Sequence, residues 1–134
     1  MAEQFKFELV SPAKILFSDS AVSVVLPGSE GEMTVMGNHS PLISTLKPGV
    51  ITVSTANGAT DRFVVYGGVA DIKPDVCTVL AEAAVHRDQI DMEDIAKRVE
   101  DARKAVASAE SDQHRFDAEA LLANLSHLEH TLKN

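Results

Sequence analysis

The chain has 134 residues, enough for one conventional domain or for a small domain with an appendage, and chains of this size bury a core without disulfides or metal. Its formal net charge of −8 argues against nucleic acid, whose binding rests on Lys and Arg contacts to phosphate, and equally against an anionic lipid surface. Forty-five per cent apolar content marks a globular chain, and with only Tyr66 and five Phe the core must be mostly aliphatic.

The opening MAEQFKFELV lacks the basic and apolar regions of a secretory signal and the Arg and Ser richness of a transit peptide. Within it Phe5, Phe7 and Leu9 alternate with Lys6 and Glu8, a strand with one face buried. Val22, Val24 and Leu26 repeat the pattern, followed by a turn signal at Pro27-Gly28. Glu32–Val35 and Leu42–Leu46 read as short strands around the loop Gly37-Asn38-His39-Ser40-Pro41, with a further turn expected at Pro48-Gly49. Val50–Thr55 and Arg62–Tyr66 flank Asn57-Gly58, the strongest short hairpin signal because both residues tolerate positive φ. Gly67-Gly68 reads as a tight turn or bulge, and Val69–Ile72 and Val76–Leu80 are parted by the turn Lys73-Pro74-Asp75. Short strands with turns at this spacing predict an antiparallel sandwich or barrel.

The period changes near Ala81–Asp91, after which neither Gly nor Pro occurs. Ile95, Val99, Ala102 and Val106 lie on one face of a helix, with Asp91, Glu93 and Asp94 at its start and Arg103 and Lys104 near its end, as the helix dipole favours. Ser108–Asp112 breaks the pattern and offers Ser111 as an N-cap. A second stripe follows at Leu121, Leu125, Leu128 and Leu132, widened by Ala118 and Leu122. Two such helices joined by a short break predict an antiparallel hairpin. Its narrow stripes require support from elsewhere, since short helices alone are marginal in water, and this suggests a movable arm. The fold class expected is therefore α+β: an N-terminal antiparallel β-sandwich over residues 1–86 and a C-terminal antiparallel α-helical hairpin over residues 87–134.

No constellation for bond-making chemistry emerges. His39 is either a contact residue on an exposed loop or a histidine that hydrogen-bonds its own loop, and no orienting partner for acid–base work lies nearby. His127 and His130 supply at most half a metal site, where a closed zinc site takes about four ligands. Gly67-Gly68 leads into another strand rather than the helix N-terminus a phosphate loop needs. Glu30 and Glu32 suit a solvated hairpin tip. The single Cys77 excludes an intramolecular disulfide and fits a small core residue in a reducing compartment. No apolar run approaches the roughly 20 residues that cross a bilayer, so a soluble protein is expected, without cofactor or metal. An interaction subunit, or a free-standing regulatory or ligand-binding β-sandwich with a helical interaction arm, remain the two classes in view.

Gly-Ser-Glu-Gly-Glu, Gly-Asn-His-Ser-Pro-Leu, Lys-Pro-Gly and Gly-Gly-Val-Ala-Asp-Ile, in this order and followed by a helical hairpin, resemble the ε subunit of bacterial F-type ATP synthase, the counterpart of the mitochondrial δ subunit. The resemblance covers essentially the whole chain. It implies a non-catalytic central-stalk subunit, peripheral on the cytoplasmic face of the bacterial inner membrane. The sandwich is then expected to pack on the γ subunit and on the polar loops of the c-ring, and the helices to reach the α/β catalytic subunits and restrain ATP hydrolysis. It implies a c-ring contact at Glu30, Gly31, Glu32, Asn38, His39, Ser40 and Pro41, with no direct membrane insertion. On the arm, Lys97, Arg98, Arg103, Lys104 and Arg115 are the candidate contacts to acidic catalytic subunits, their alternative role being i,i+4 pairing with neighbouring acids. Some members bind ATP through a motif like Ile/Leu-Asp-x-x-Arg-Ala. Here Ile90-Asp91-Met92-Glu93 matches its beginning, but Asp94 and Ile95 stand for Arg and Ala, and a carboxylate in place of the guanidinium repels phosphate.

Overall fold

The computed structural model describes residues 3–133, which form two compact units, one ending at Ile90 and one beginning at Asp91. Seven strands build the first: β1 Phe5–Val10, β2 Ile15–Gly28, β3 Gly31–Met36, β4 Leu42–Thr55, β5 Thr60–Ile72, β6 Val76–Ala81 and β7 Ala84–His86. Three, β2, β4 and β5, are long enough to pair with different neighbours along their length. The first half of β2 pairs with β1, from Phe5 opposite Ala21 to Val10 opposite Ile15, and its second half with β3. Likewise β5 pairs first with β7 and then, beyond Gly67, with β6. Between them β4 pairs with β2 on one side and along β5 on the other. One ladder departs from the antiparallel expectation: β1 runs parallel to β6, from Lys6 opposite Val76 to Val10 opposite Leu80. It closes a hydrogen-bonded circuit through β1, β2, β4, β5 and β6.

Three expected turns lie inside strands, Gly67-Gly68 among them, since β5 runs unbroken from Thr60 to Ile72 with no register shift against β4. Pro48 pairs with Tyr66 and Gly49 with Val65, so Leu42–Leu46 and Val50–Thr55 form one strand. Pro27 pairs with Glu32, and the chain turns two residues later at Ser29-Glu30. Pro27 sits where the β2–β4 register shifts, between Val25 and Gly28, a place where a ladder tolerates a residue without an N–H. Its ring lies over Gly49, where an added Cβ would stand 2.5 Å from the Pro27 Cβ. The proline and the glycine thus let two strands bend together. The Asn57-Gly58 hairpin forms as expected, although only Gly58 takes positive φ, at 92°. Asn57 acts through its side chain, whose oxygen accepts from the Ala59 N–H at 3.2 Å and from the Thr55 hydroxyl.

Alternation along the strands sends Phe7, Leu9, Val24, Leu26, Ile51, Val53, Ile72 and Val79 wholly inside, with Cys77 among them. Phe7, Phe17 and Phe63 run through this core as a chain of ring contacts at 5.8 and 5.7 Å. Each such large side chain contributes about 1.5–3 kcal/mol on burial, so an aliphatic core of this length suffices without cross-links.

The second unit is a pair of helices, α1 Met92–Ala107 and α2 Asp112–Lys133, packed on one another. Asp91 caps α1 by accepting from the Glu93 N–H at 2.9 Å. Ser111 caps α2 by accepting from the His114 N–H at 3.1 Å, as its position predicts. Ile95, Val99 and Ala102 are buried on α1, and Leu125, Leu128 and Leu132 on α2. Leu121 is not part of that stripe: it is 42% exposed, while Ala118 and Leu122, three residues before and one after it, are half-buried.

Candidate functional site

The first unit carries an apolar stripe on its surface. Thr45, Val69 and Leu80 are successive cross-strand neighbours on β4, β5 and β6, and Val10 of β1 continues the row. Val69 and Leu80 are 41% and 54% exposed, and Ile43 beside them 71%. A groove of about 450 Å³ runs along the stripe, lined by Pro12, Leu46, Gly68 and Ala81 as well. Gly68 makes that shape possible. Its φ of +153° suits glycine alone, and an added Cβ would meet the Leu80 carbonyl oxygen at 2.3 Å. Sequence reading missed this surface, yet it left a trace. Val79-Leu80 and Leu42-Ile43 are adjacent apolar pairs within strands, and in a pleated strand neighbours point to opposite faces.

At one end of β3 lies the acidic tip. Gly28 pairs with Gly31 across the two-residue turn Ser29-Glu30. The Ser29 N–H donates to the Thr45 carbonyl at 3.0 Å, and the Ser29 and Thr45 hydroxyls lie 2.8 Å apart. Glu30, Gly31 and Glu32 are therefore exposed on a hairpin fastened to β4, and the space between tip and Leu42–Thr45 is a cleft of about 470 Å³.

The His39 loop follows the other end of β3. Asn38 takes φ 63°, donates its backbone N–H to the Pro74 carbonyl at 2.9 Å, and donates its side-chain N–H to the Glu3 carboxylate. His39 lies half-exposed, with Nδ1 2.7 Å from the Ser40 carbonyl. A carbonyl only accepts, so this contact places a proton on Nδ1 and turns Nε2 into the acceptor of the neutral ring. The histidine therefore bonds its own loop, and its ring stays half-exposed. Asn38, Ser40 and Pro41 are exposed. The seven residues form two groups set apart by β3, whose six residues span about 17 Å.

On the helices, three of the five basic residues already have acidic neighbours. Arg98 pairs with Asp94 at 3.1 Å, Arg103 with Glu100 at 2.6 Å and Arg115 with Asp112 at 3.9 Å. Lys97 and Lys104 are exposed and show no ion pair among the described residues. Ile95 is fully buried in the hairpin. His127 and His130 are both exposed, and among the described residues no group of three or more His, Cys, Asp or Glu is placed to hold a metal ion. Burial, followed by the nearby Asp71 carboxylate, pushes the Cys77 thiol up to about 12, which makes it a poor nucleophile. Among the described residues no helix is long and apolar enough to cross a membrane.

Residues 4–87 match the family described as ATP synthase, Delta/Epsilon chain, beta-sandwich domain. The chain is 54% identical over 129 residues to the ATP synthase epsilon chain of Mesorhizobium japonicum, covering 96% of each. It is 52% identical over 132 residues to that of Brucella anthropi, covering 98% of each. Among solved structures it resembles a chain of the Euglena gracilis mitochondrial ATP synthase, in an assembly of OSCP, F1 and c-ring. There the TM-score is 0.75 at 27% identity, over 96% of this chain and 81% of the other. A chain of the Tetrahymena thermophila mitochondrial ATP synthase shares the fold, with a TM-score of 0.67 at 11% identity over 98% of both.

Proposed function

Because this chain belongs to the ATP synthase delta/epsilon family, as an ε chain of the bacterial kind, we propose that it is the non-catalytic central-stalk subunit of a proton-translocating F-type ATP synthase. It couples rotation of the c-ring to the catalytic head, peripheral on the cytoplasmic face of the bacterial inner membrane. The observation that carries the reading is the exposed apolar stripe of Ile43, Val69 and Leu80, continued by Val10. Contiguous exposed apolar area of this kind marks a protein contact. The γ subunit is the partner assigned to it. Glu30, Gly31 and Glu32, and separately Asn38, His39, Ser40 and Pro41, meet polar loops of the c-ring. Both segments are held by backbone hydrogen bonds before any partner arrives, so little ordering cost attaches to the contact. Their separation along β3 suits a ring that offers the same loop repeatedly, one copy to each end.

The helices restrain ATP hydrolysis by reaching the α/β subunits. Lys97 and Lys104 lead that contact, since Arg98, Arg103 and Arg115 have acidic neighbours on their own helices. ATP does not bind the arm at physiological strength. Asp94 brings a negative charge to the first turn of α1, and Ile95 belongs to the hairpin core rather than to a phosphate site. The test is reconstitution with the α, β and γ subunits. The full chain should co-purify with γ, and Leu80→Asp should weaken that association at least about tenfold, one charge placed in an apolar contact being worth more than 1.4 kcal/mol. Removal of residues 91–134 should raise hydrolysis. Undiminished γ binding by Leu80→Asp sinks the assignment of the stripe, and unchanged hydrolysis on truncation sinks the restraint.

A further inference from the structure

The segment leading from the first unit into α1 contains a histidine that none of these surfaces uses. His86 ends β7, opposite Phe63 in the ladder, with its ring edge-on to the phenyl at 5.1 Å and 79°. Its Nε2 lies 3.4 Å from Oδ1 of Asp61, and its Nδ1 accepts from the Asp88 N–H at 3.2 Å. That second bond caps the single 3-10 turn Arg87–Gln89, which Ile90 closes onto the Arg87 carbonyl and which Asp91, the α1 cap, directly follows. A nitrogen that accepts carries no proton, so the neutral ring holds its proton on Nε2, facing Asp61. Oδ2 of Asp88 stands 3.6 Å from the same Nδ1 whose lone pair holds the backbone.

We propose that His86 is a proton-operated switch of the turn Arg87–Gln89. A proton taken from solvent onto Nδ1 consumes the lone pair that caps the turn. The Asp88 N–H then loses its acceptor, and the new N–H turns to the Asp88 carboxylate instead. The ring becomes a cation held by Asp61 on one side and Asp88 on the other, and the backbone path through Arg87–Gln89 changes with it. The charged groups around it are Asp61 from β5, Arg87 and Asp88 from the turn, and Lys14 ahead of β2, which lines the same 320 Å³ cavity with Phe17 and Phe63. Histidine is the side chain whose charge ordinarily changes between pH 5 and 8, and one ring nitrogen here faces a carboxylate while the other holds up a turn. The inference does not depend on which complex the chain joins.

The full chain, labelled with ¹⁵N, tests it between pH 5 and 8. The Asp88 amide should move with the same midpoint as the His86 ring. Its hydrogen exchange, after correction for the intrinsic pH dependence, should speed up about tenfold on acidification, the loss of one hydrogen bond. In His86→Gln both transitions should vanish while the spectrum of the remaining β-unit persists. A ring that titrates without the amide, an amide transition that survives in His86→Gln, or no ring titration in this range would each overturn the proposal.

Discussion

Gly68→Ala separates two costs that glycines in this fold carry. Gly58, Gly67 and Gly68 all have positive φ, at 92°, 108° and 153°. Holding an alanine in such a conformation costs about 1–3 kcal/mol. Against this, alanine restricts the unfolded chain and returns about 0.4–1 kcal/mol. Both contributions are similar at the three positions, but the space is not. An added Cβ at Gly58 meets nothing within 4 Å, and at Gly67 the flexible end of Glu82 at 3.4 Å and the Leu46 carbonyl oxygen at an ordinary 3.7 Å. At Gly68 it meets the Leu80 carbonyl oxygen at 2.3 Å and the Ala81 Cα at 2.9 Å, both backbone of the paired strand β6. To reach 3.0 Å the carbonyl must retreat by about 0.7 Å. That opens the Gly68–Ala81 pairing and leaves a buried backbone group short of its bond, for about 1–3 kcal/mol more. Gly58→Ala should therefore cost about 1–2 kcal/mol and Gly68→Ala about 3–4. Urea titration followed by circular dichroism reads the difference as a midpoint lower by about 1 M, for a slope near 2 kcal/mol/M. If Gly68→Ala melts within 0.5 kcal/mol of Gly58→Ala, roughly the reproducibility of such a fit, the close approach of β5 and β6 is not what selects glycine there.

Three further outcomes follow from the geometry. Cysteine placed at Glu32 or at His39, in a Cys77→Ser background, should cross-link to a c-ring polar loop in the assembled enzyme; free labelling of both positions without any cross-link would remove the ring contact. Cys77 keeps its proton up to about pH 12 in the folded chain, while an unfolded thiol loses it near 9. Between those values the native state binds more protons than the unfolded, so unfolding free energy falls with rising pH, by about 1.4 kcal/mol per unit. Urea melts of the chain and of Cys77→Ala at pH 9 to 11 should diverge by that slope, and parallel curves would show the thiol titrating freely. Asp91→Ala removes the cap of α1 and should destabilise the helical unit by about 0.5–2 kcal/mol, seen as faster exchange of the Glu93 amide; Asp91→Asn should restore most of it.

The local order of the fold was legible because it rests on local chemistry. Alternation in Phe5–Leu9 and at Val24 and Leu26, the hairpin at Asn57-Gly58 and the Ser111 cap each need only a few neighbouring residues, whereas a register shift at Ala21–Ser23 puts Ala21 in the core in place of Val22. Pro48-Gly49 and Pro27-Gly28 misled because the same residues that end a strand also let a paired strand bend, and only the partner strand decides. The parallel pairing of β1 with β6 left no mark on either segment, since a strand's burial pattern is the same whichever way its neighbour runs. Leu121 and Leu122 were both plausible on the α2 stripe, and packing against α1 chose the second. Of the candidate surface, the two loops showed themselves through turn residues. The apolar stripe showed only as Val79-Leu80 and Leu42-Ile43, and His86 meets Asp61 through a register that brings Phe63 opposite it.

The closed circuit of strands also bears on how the molecule is made. As the chain leaves the ribosome, β1 can pair early with β2, its neighbour in sequence. Its other edge stays bare until β6 emerges, because Lys6 must wait for Val76. Until then the nascent chain offers an unpaired, strongly alternating strand to any other strand nearby, the situation in which edge-to-edge aggregation begins. A closure delayed to nearly the end of the first unit also gives a high mean sequence separation of contacts, and hence slow folding for its size. A truncation anywhere before Val76 would leave that edge open for good, whereas one after Ile90 would not touch it.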